Sequence, residues 1–290
     1  MANIKFLTDS AADVPRDVLK EVGLIDVLPF PMIVDGKEFA DGVDMTSKEF
    51  YDVLYSCENI PTHAQLTPFL FCEVYEHAWE EGVEHLIYVS INSKASATHQ
   101  NAHQAIEMFY EKVPEAREKF IITIIDSLSY TLAYGYPLVQ GAKMAKNGVE
   151  AQEIIDYITD WVKHSRILFV TFDLRFAKKS GRVSAVAAFV GEALGIKPLL
   201  TFENGQSKIL GKVRGSKAVI STLMTFAEAE REKDSPYLLL RTSNEEQDTA
   251  LAEACMESFG KPPEMVSYVG GVISINAGPN TIGLVYRKKR

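Results

Sequence analysis

The stretch HLIYVSINSKASATHQNAHQAIEMFYEKV, residues 85–113, carries the pattern that decides the fold. Its apolar run, Leu86 to Val89, is rich in β-branched and aromatic residues and predicts a strand. Small hydroxyl and amide residues follow at once: Ser90, Asn92, Ser93, Ser96 and Thr98. Helix-forming residues then continue to the end of the stretch. A strand that passes into a helix through a short polar connection is the unit from which parallel α/β sheets are built. The connection also poses a chemical question. Its side chains could activate a serine nucleophile, cradle an anion, or simply cap the helix.

The same alternation extends outward on both sides. Upstream, IKFLTDS reads as a strand ending in Thr8-Asp9-Ser10, and IDVLPFPMIVDGKEFA as extended chain turning tightly at Asp35-Gly36. MTSKEFYDVLYS opens a helix with Thr46 as N-cap and Glu49 three residues on, a capping box. PFLFCEVYEHAWEEG predicts a helix closed by Gly82. Downstream, KFIITIIDS is a strand, YTLAYGYPLVQGAKMAKNG an irregular helix and EAQEIIDYITDWVKH a further helix. This half predicts a mainly parallel sheet with flanking helices.

The second half changes character. KPLLTFENGQSKILGKV predicts a hairpin with Asn204-Gly205 at its turn. SKAVISTLMTFAEAEREK and EEQDTALAEACMESFG predict helices, and YLLLRTS, EMVSYVG and IGLVYRKK strands. The expected architecture is α/β, with an N-terminal domain over 1–165 and a C-terminal α+β sandwich domain over 166–290. No Pro/Gly/Ser linker marks the division, and neither repeats nor low-complexity segments occur.

Composition narrows the function. With 47% apolar residues in a chain of 290, a sizeable core can form. The formal charge of −9 argues against a nucleic-acid binder, and YRKKR at the end reads as a solvated terminus. No apolar run reaches membrane-spanning length, and the start lacks a secretion signal, so neither stable membrane insertion nor export is expected. Cys57, Cys72 and Cys255 are odd in number and widely spaced, which indicates neither a zinc site nor a disulfide framework and fits the cytoplasm.

Three strands of the first half end alike, at Thr8-Asp9-Ser10, at Ser90 to Ser93 and at Asp126-Ser127. In a parallel sheet these ends share one edge, where open α/β sheets bind ligands. Each alone could be an ordinary N-cap. No GxGxxG or GxxxxGKS motif is present, so the usual dinucleotide and phosphate grips are missing. Ser96 sits in KASAT rather than in GxSxG. His99 and His103 have i, i+4 spacing but lack the Glu of the metalloprotease motif, and two polar histidines on a helix face explain them. An anion cradle is left, formed by free N–H groups of a helix starting near Ala95 together with Ser96 and Thr98. From Val183 to Leu194 the chain is apolar almost all round, with small residues interleaved, which suits either a buried helix or the wall of an apolar cavity.

Six segments in order resemble the bacterial DegV family of fatty-acid-binding proteins. FLTDSAADVP resembles its opening TDS segment, and PTHAQLTPFLF, from Pro61, its TSQPS-type segment. INSKASATHQNA is similar to ISSxLSGTYQSA, and Asp126-Ser127 falls at the family's DS. KKSGRVSAVAAFVGEALGIKPLL, with NGQSKILGKVRG, is similar to its GRIS…IKPIL…DG…KVRG run. GGVISINAGPNTIG resembles GxVIGxHxGPGxxG.

The resemblance implies two α/β domains and an internal tunnel holding a long-chain fatty acid with its carboxylate near the surface. It also implies a separate ATP-dependent fatty acid kinase that phosphorylates the bound carboxylate, with no catalysis and no cofactor in this subunit. Ser96 matches the SGT serine that donates to the carboxylate, and Arg182 the arginine near the head group. His63 falls at the threonine of TSQ with Thr62 beside it, Asn276 falls where the family has histidine, and Arg214 matches an arginine implicated in engaging the kinase. Thr98 completes the expected set of Thr62, His63, Ser96, Thr98, Arg182 and Asn276. Ala97 replaces the SGT glycine and Asn280 the last glycine of GPG. His63 could stand in for the lost histidine from across the site. The competing expectation is a serine hydrolase or acyltransferase using Ser96, with His63 or His99 as base. A third is a regulatory module for another small carboxylate.

Overall fold

The computed structural model describes residues 3–187, 189 and 195–289. Strands β1 (Ile4–Asp9), β2 (Ile25–Leu28), β6 (His85–Ser90) and β7 (Ile121–Asp126) form an all-parallel sheet in the order β2-β1-β6-β7. Parallel neighbours require crossovers, and helices supply them. These are α1 (Arg16–Val22), α3 (Pro68–Glu80) and α4 (Thr98–Lys112), with α2 (Ser47–Ser56) opened by the Thr46–Glu49 capping box. The chain then runs through α5 (Leu132–Lys146) and α6 (Ala151–His164).

A small antiparallel sheet of β3 (Pro31–Val34), β4 (Lys37–Ala40) and β5 (Thr62–His63) branches from this layer in the order β4-β3-β5. Asp35 and Gly36 both take positive φ, 48° and 79°, as a tight hairpin turn requires. β5 pairs Met32 with His63 and Ile33 with Thr62. Alternation along the strand turns His63 inward and leaves Thr62 exposed.

The second large sheet contains β8 (Ser165–Thr171), β9 (Ile196–Glu203), β10 (Gln206–Arg214), β11 (Tyr237–Arg241), β12 (Met265–Tyr268) and β13 (Thr281–Arg287), in the order β10-β9-β8-β13-β11-β12. Among the described residues of this sheet only β11 and β12 pair in parallel. Its helices are α7 (Leu174–Ser180), α8 (Val219–Glu230), α9 (Glu245–Phe259) and the short α10 (Gly271–Ala277). The hairpin expected at Asn204-Gly205 is present, again with positive φ at both residues. None of the helices among the described residues is long and apolar enough to cross a membrane.

Both faces of this sheet are buried, by period-two alternation. Leu168, Val170, Leu239, Ile282 and Leu284 pack into one apolar cluster under α8 and α9. Ile167, Phe169, Leu200, Leu240 and Val285 face the other way and join the core of the parallel sheet. Position 283 points to that shared side and is glycine. A Cβ there would lie 3.0 Å from Leu240 Cδ1. The absence of a side chain at 283 helps leave space between the layers.

The apolar segment from Val183 to Leu194 is only partly visible. Val183 and Phe189 are buried and Ser184–Val186 forms a 3₁₀ turn, whereas residues 188 and 190–194 lie outside the described residues.

Candidate ligand-binding site

Between the edge of the parallel sheet and the shared face of the mixed sheet lies a cavity with about 780 Å³ of space between its walls, part of it open to solvent. Ile167, Phe169, Phe202, Leu240, Val269 and Val272 give it an apolar lining. Phe169 and Phe202 stack with ring centroids 5.4 Å apart, and Tyr130 packs on Phe202 at 4.4 Å.

The polar side chains on this wall include Ser96, His63, Asn276 and Arg182, and His63 and Asn276 bond one another. His63, Asn276 and Arg182 also border an outer pocket of about 500 Å³ shared with Thr62, Lys179 and Ser180. His63, Asn276 and Arg182 therefore stand where the apolar interior meets a more open recess.

Each side chain has a local cause for its position. Ser96 belongs to the turn between β6 and α4. Its Oγ lies 2.9 Å from Thr98 Oγ1, and Thr98 Oγ1 accepts the N–H of Leu66 at 3.2 Å. Ser96 Oγ donates to Thr98 Oγ1 and accepts the Thr98 N–H at 3.3 Å, so Thr98 anchors the Ser96 side chain. The Ser96 hydroxyl rotates about its C–O bond, so its proton can turn from Thr98 to an acceptor in the cavity. Asn276 projects from the last turn of α10. Its Nδ2 donates to the Val272 carbonyl at 2.6 Å and to His63 Nε2 at 3.0 Å. The Val272 carbonyl fixes the amide orientation, so the amide donates to the ring. His63 thus keeps its proton on Nδ1 in the neutral form. Burial pushes the His63 imidazole below its ordinary pKa, and the Arg182 charge acts in the same direction. Arg182 follows Gly181, whose φ of 72° ends α7, and its Nη1 donates to the Ser180 carbonyl at 2.8 Å.

The arrangement differs from the sequence expectation in three respects. First, the cradle of free N–H groups near Ala95 does not form. The helix begins at Thr98, and the N–H groups of Ala95 and Ser96 both donate to the Asn92 carbonyl at 3.2 Å. The donors at this site are side chains. Second, Thr98 is 0% exposed and lies behind the wall, orienting Ser96 rather than lining the cavity. Third, Thr62 borders the outer pocket alone, and Arg214 is exposed at the end of β10, on neither lining.

The three similar strand ends also diverge. Asp9 is fully buried and accepts from Tyr134 at 2.6 Å, Ile91 N–H at 2.9 Å and Tyr88 at 3.1 Å. Burial nevertheless raises its pKa to about 6. Asp126 accepts from the N–H groups of Leu128 and Ser93 at 3.0 and 3.1 Å and holds two loops together. Neither aspartate lines the cavity. Tyr130 and Thr131, beyond β7, do line it and were not singled out in the sequence. The apolar wall residues gave a faint signal, since strands buried on both faces read as unbroken apolar runs.

Among the described residues no histidine shares a hydrogen bond with Ser96. His99 Nδ1 lies 2.8 Å from Ser90 Oγ, which is fully buried, and His63 is engaged by Asn276. No group of three or more His, Cys, Asp or Glu residues is placed to hold a metal ion among the described residues.

Comparison with known proteins agrees on one family. The family model described as uncharacterised protein, DegV family, matches residues 3–289. A DegV domain-containing protein of Caldanaerobacter subterraneus is 31% identical over 295 residues, covering 100% of both chains. The structure of a DegV family protein from Thermus thermophilus, described as binding fatty acid, superposes with a TM-score of 0.83. It is 25% identical and covers 99% of this chain and 100% of that one. A stearic-acid-binding protein from Eubacterium ventriosum shares the fold, with a TM-score of 0.87 at 21% identity over 99% of this chain and 98% of its own.

Proposed function

The chain belongs to the DegV family, and on that premise we propose that it binds a long-chain fatty acid, with the hydrocarbon in the apolar cavity and the carboxylate at Ser96, His63 and Asn276. The observation that carries this reading is the joining of an apolar interior to an outer recess through one polar cluster. An amphiphile with one acidic end fits that division. Burial of a sixteen-carbon chain contributes about 0.8 kcal/mol per methylene, roughly 11 kcal/mol gross, part of which is offset by ordering the ligand.

In this reading Ser96 Oγ–H turns from Thr98 to the carboxylate, His63 Nδ1–H donates beside it, Asn276 sets the His63 tautomer, and the Thr98 N–H holds Ser96 Oγ in place. Arg182 supplies positive charge from the rim. Thr62 faces the outer pocket, where a head group emerges. The carboxylate then lies next to this recess, available to a separate fatty acid kinase, with Arg214 as a distant contact for that partner. The subunit itself acts as a carrier. The hydrolase alternative needs a base on Ser96, and the hydrogen-bond pattern gives it no support. Two domains dividing near residue 165 and a cytoplasmic location complete the reading. The free thiols of Cys57, Cys72 and Cys255 are compatible with a reducing compartment.

Native mass spectrometry of gently purified protein, followed by extraction, tests the proposal. Expected is one long-chain acid per chain. Apo protein alone, with no affinity for added palmitic or stearic acid, would overturn it. Labelling of Ser96 by a fluorophosphonate probe would favour the hydrolase instead.

A further inference from the structure

Besides Ser96, the cavity wall carries three hydroxyl groups among the described residues, and they are not equivalent. Tyr130 Oη accepts the side-chain amide of Asn92 at 2.8 Å. Thr281 Oγ1 donates to the Ala277 carbonyl at 3.0 Å. Thr131 Oγ1 has no hydrogen-bond partner, although the residue is only 3% exposed. It is the one buried orphan side-chain atom on this wall among the described residues. Such a group loses its water without compensation, so each instance in a native protein calls for a reason.

The backbone at the same residue is also unfavourable. Thr131 has φ 55° and ψ −143°, a conformation that β-branched residues rarely adopt. Surrounding bonds hold it there. Its N–H donates to the Ala11 carbonyl at 2.9 Å, and its carbonyl accepts from Gly135 N–H at 3.1 Å. Glycine would relax the backbone, and an apolar residue would suit the wall. Threonine is disfavoured on both counts, and the coincidence of strain with an unsatisfied hydroxyl marks a functional position.

Its place along the cavity follows from two contacts of the turn after β1. Ala11 binds Thr131, and two residues later Asp13 Oδ1 accepts the N–H of Gly270, which caps the start of α10. Thr131 therefore stands near the N-terminal end of α10, whereas Asn276 lies in its last turn. At 1.5 Å per residue the two ends are separated by about 9 Å.

We propose that Thr131 Oγ1 hydrogen-bonds an oxygen carried part-way along the acyl chain, so that this protein prefers a long-chain acid bearing a hydroxyl or carbonyl group over the plain hydrocarbon acid. The proposal rests on the fatty-acid reading above and specifies its ligand class. A hydroxyl is the suitable reader, because it can donate to a keto oxygen and both donate to and accept from a hydroxyl. Only certain positions on the chain bring the oxygen to Thr131, so the preference is positional.

The test is calorimetric titration of delipidated full-length protein with stearic acid and with a series of hydroxystearic and ketostearic acids substituted at successive carbons. In the wild type, one position or two adjacent positions should bind about tenfold more tightly than stearic acid. Thr131→Val should abolish that advantage while leaving stearic acid unchanged or slightly tighter. Thr131→Ser, which keeps the hydroxyl and relieves the β-branch, should retain it. Thr131→Ala replaces the valine variant if the latter does not fold. Tight binding of stearic acid with every oxygenated isomer weaker would overturn the proposal and leave the fatty-acid reading standing. Equal effects of Thr131→Val on stearic acid and all isomers would also overturn it, because a purely structural or water-binding role behaves that way. Failure of stearic acid and every isomer to bind would remove both readings.

Discussion

The ends of β1 and β6 look alike in sequence and serve opposite purposes. Both follow an apolar strand with a short run of Asp, Ser, Asn or Thr, and both lie at the carboxyl edge of the same parallel sheet. After β1 the polar groups turn into the protein. Asp9 gathers Tyr88, Tyr134 and Ile91 N–H, Ser10 bonds Asp41, and Asp41 and Asp13 hold the N–H groups of Gly271 and Gly270. After β6 the chain instead brings Ser96 to a cavity wall, anchored only by its neighbour Thr98, whose Oγ1 accepts the Ser96 proton and whose N–H donates to Ser96 Oγ. What separates the two is how far the polar side chains are already engaged. The β1 end borders a recess of its own, lined by Asp9, Ser10, Asp13 and Asp41, but these side chains are bonded within the fold, whereas Ser96 lines the apolar cavity between the two large sheets. A polar strand end thus indicates a ligand site only where its side chains are not committed to distant parts of the fold.

This contrast can be broken by mutation, and the largest effect should come from the β1 side. Asp9→Ala leaves three buried donors without their acceptor, so unfolding free energy should drop by about 3 kcal/mol or more, measured by urea denaturation. Stability unchanged within about 0.5 kcal/mol would show that the network holds nothing. On the β6 side the effect should fall on ligand rather than on fold. Ser96→Ala removes one charge-assisted bond and should weaken palmitic acid binding about tenfold or more, with stability altered by less than about 1 kcal/mol. A loss of stability matching that of Asp9→Ala would mean that the two strand ends do the same job.

Arg182→Ala should do less. Its side chain is exposed and already donates to the Ser180 carbonyl. Its contribution should stay under about fivefold near physiological ionic strength and shrink with added salt. An effect larger than that of Ser96→Ala would relocate the carboxylate to the rim. The smallest expected effect is a pH dependence. The folded protein holds His63 neutral below its ordinary range, whose midpoint is 6.5. The unfolded chain therefore takes up that proton first as pH falls through 6.5, which favours unfolding, while above 6.5 the term is absent. The stability difference between ligand-free wild type and His63→Gln should accordingly shift against the wild type between pH 7.5 and 5.5. A constant difference would show that the imidazole titrates normally.

Much of the fold was legible because it rests on local chemistry. Strand and helix alternation, the turns at Asp35-Gly36 and Asn204-Gly205 and the Thr46–Glu49 box depend on neighbours a few residues apart. The site was legible only as a set of candidates. The bond between His63 and Asn276 joins residues 213 positions apart, and it exists because a two-residue strand and a seven-residue helix meet over the cavity. Nothing in local pattern encodes that meeting. Thr98 misled for a related reason. Its composition suits an anion site, but the Leu66 N–H draws its hydroxyl inward. Thr131 was invisible because its distinguishing features, a positive φ and an unpartnered hydroxyl, are properties of the folded backbone.

The central claim is that the acidic end of a fatty acid lies against Ser96 while its chain fills the space between the sheets. A crystal structure with a terminally brominated long-chain acid tests it most directly, because anomalous scattering locates the far end of the ligand without ambiguity. The account predicts a bromine peak inside the cavity lined by Phe169, Phe202 and Leu240, with the carboxylate within hydrogen-bond distance of Ser96 Oγ and His63 Nδ1. A bromine peak at the surface with the cavity empty, or a ligand lying in reverse with its carboxylate at the apolar end, would contradict it.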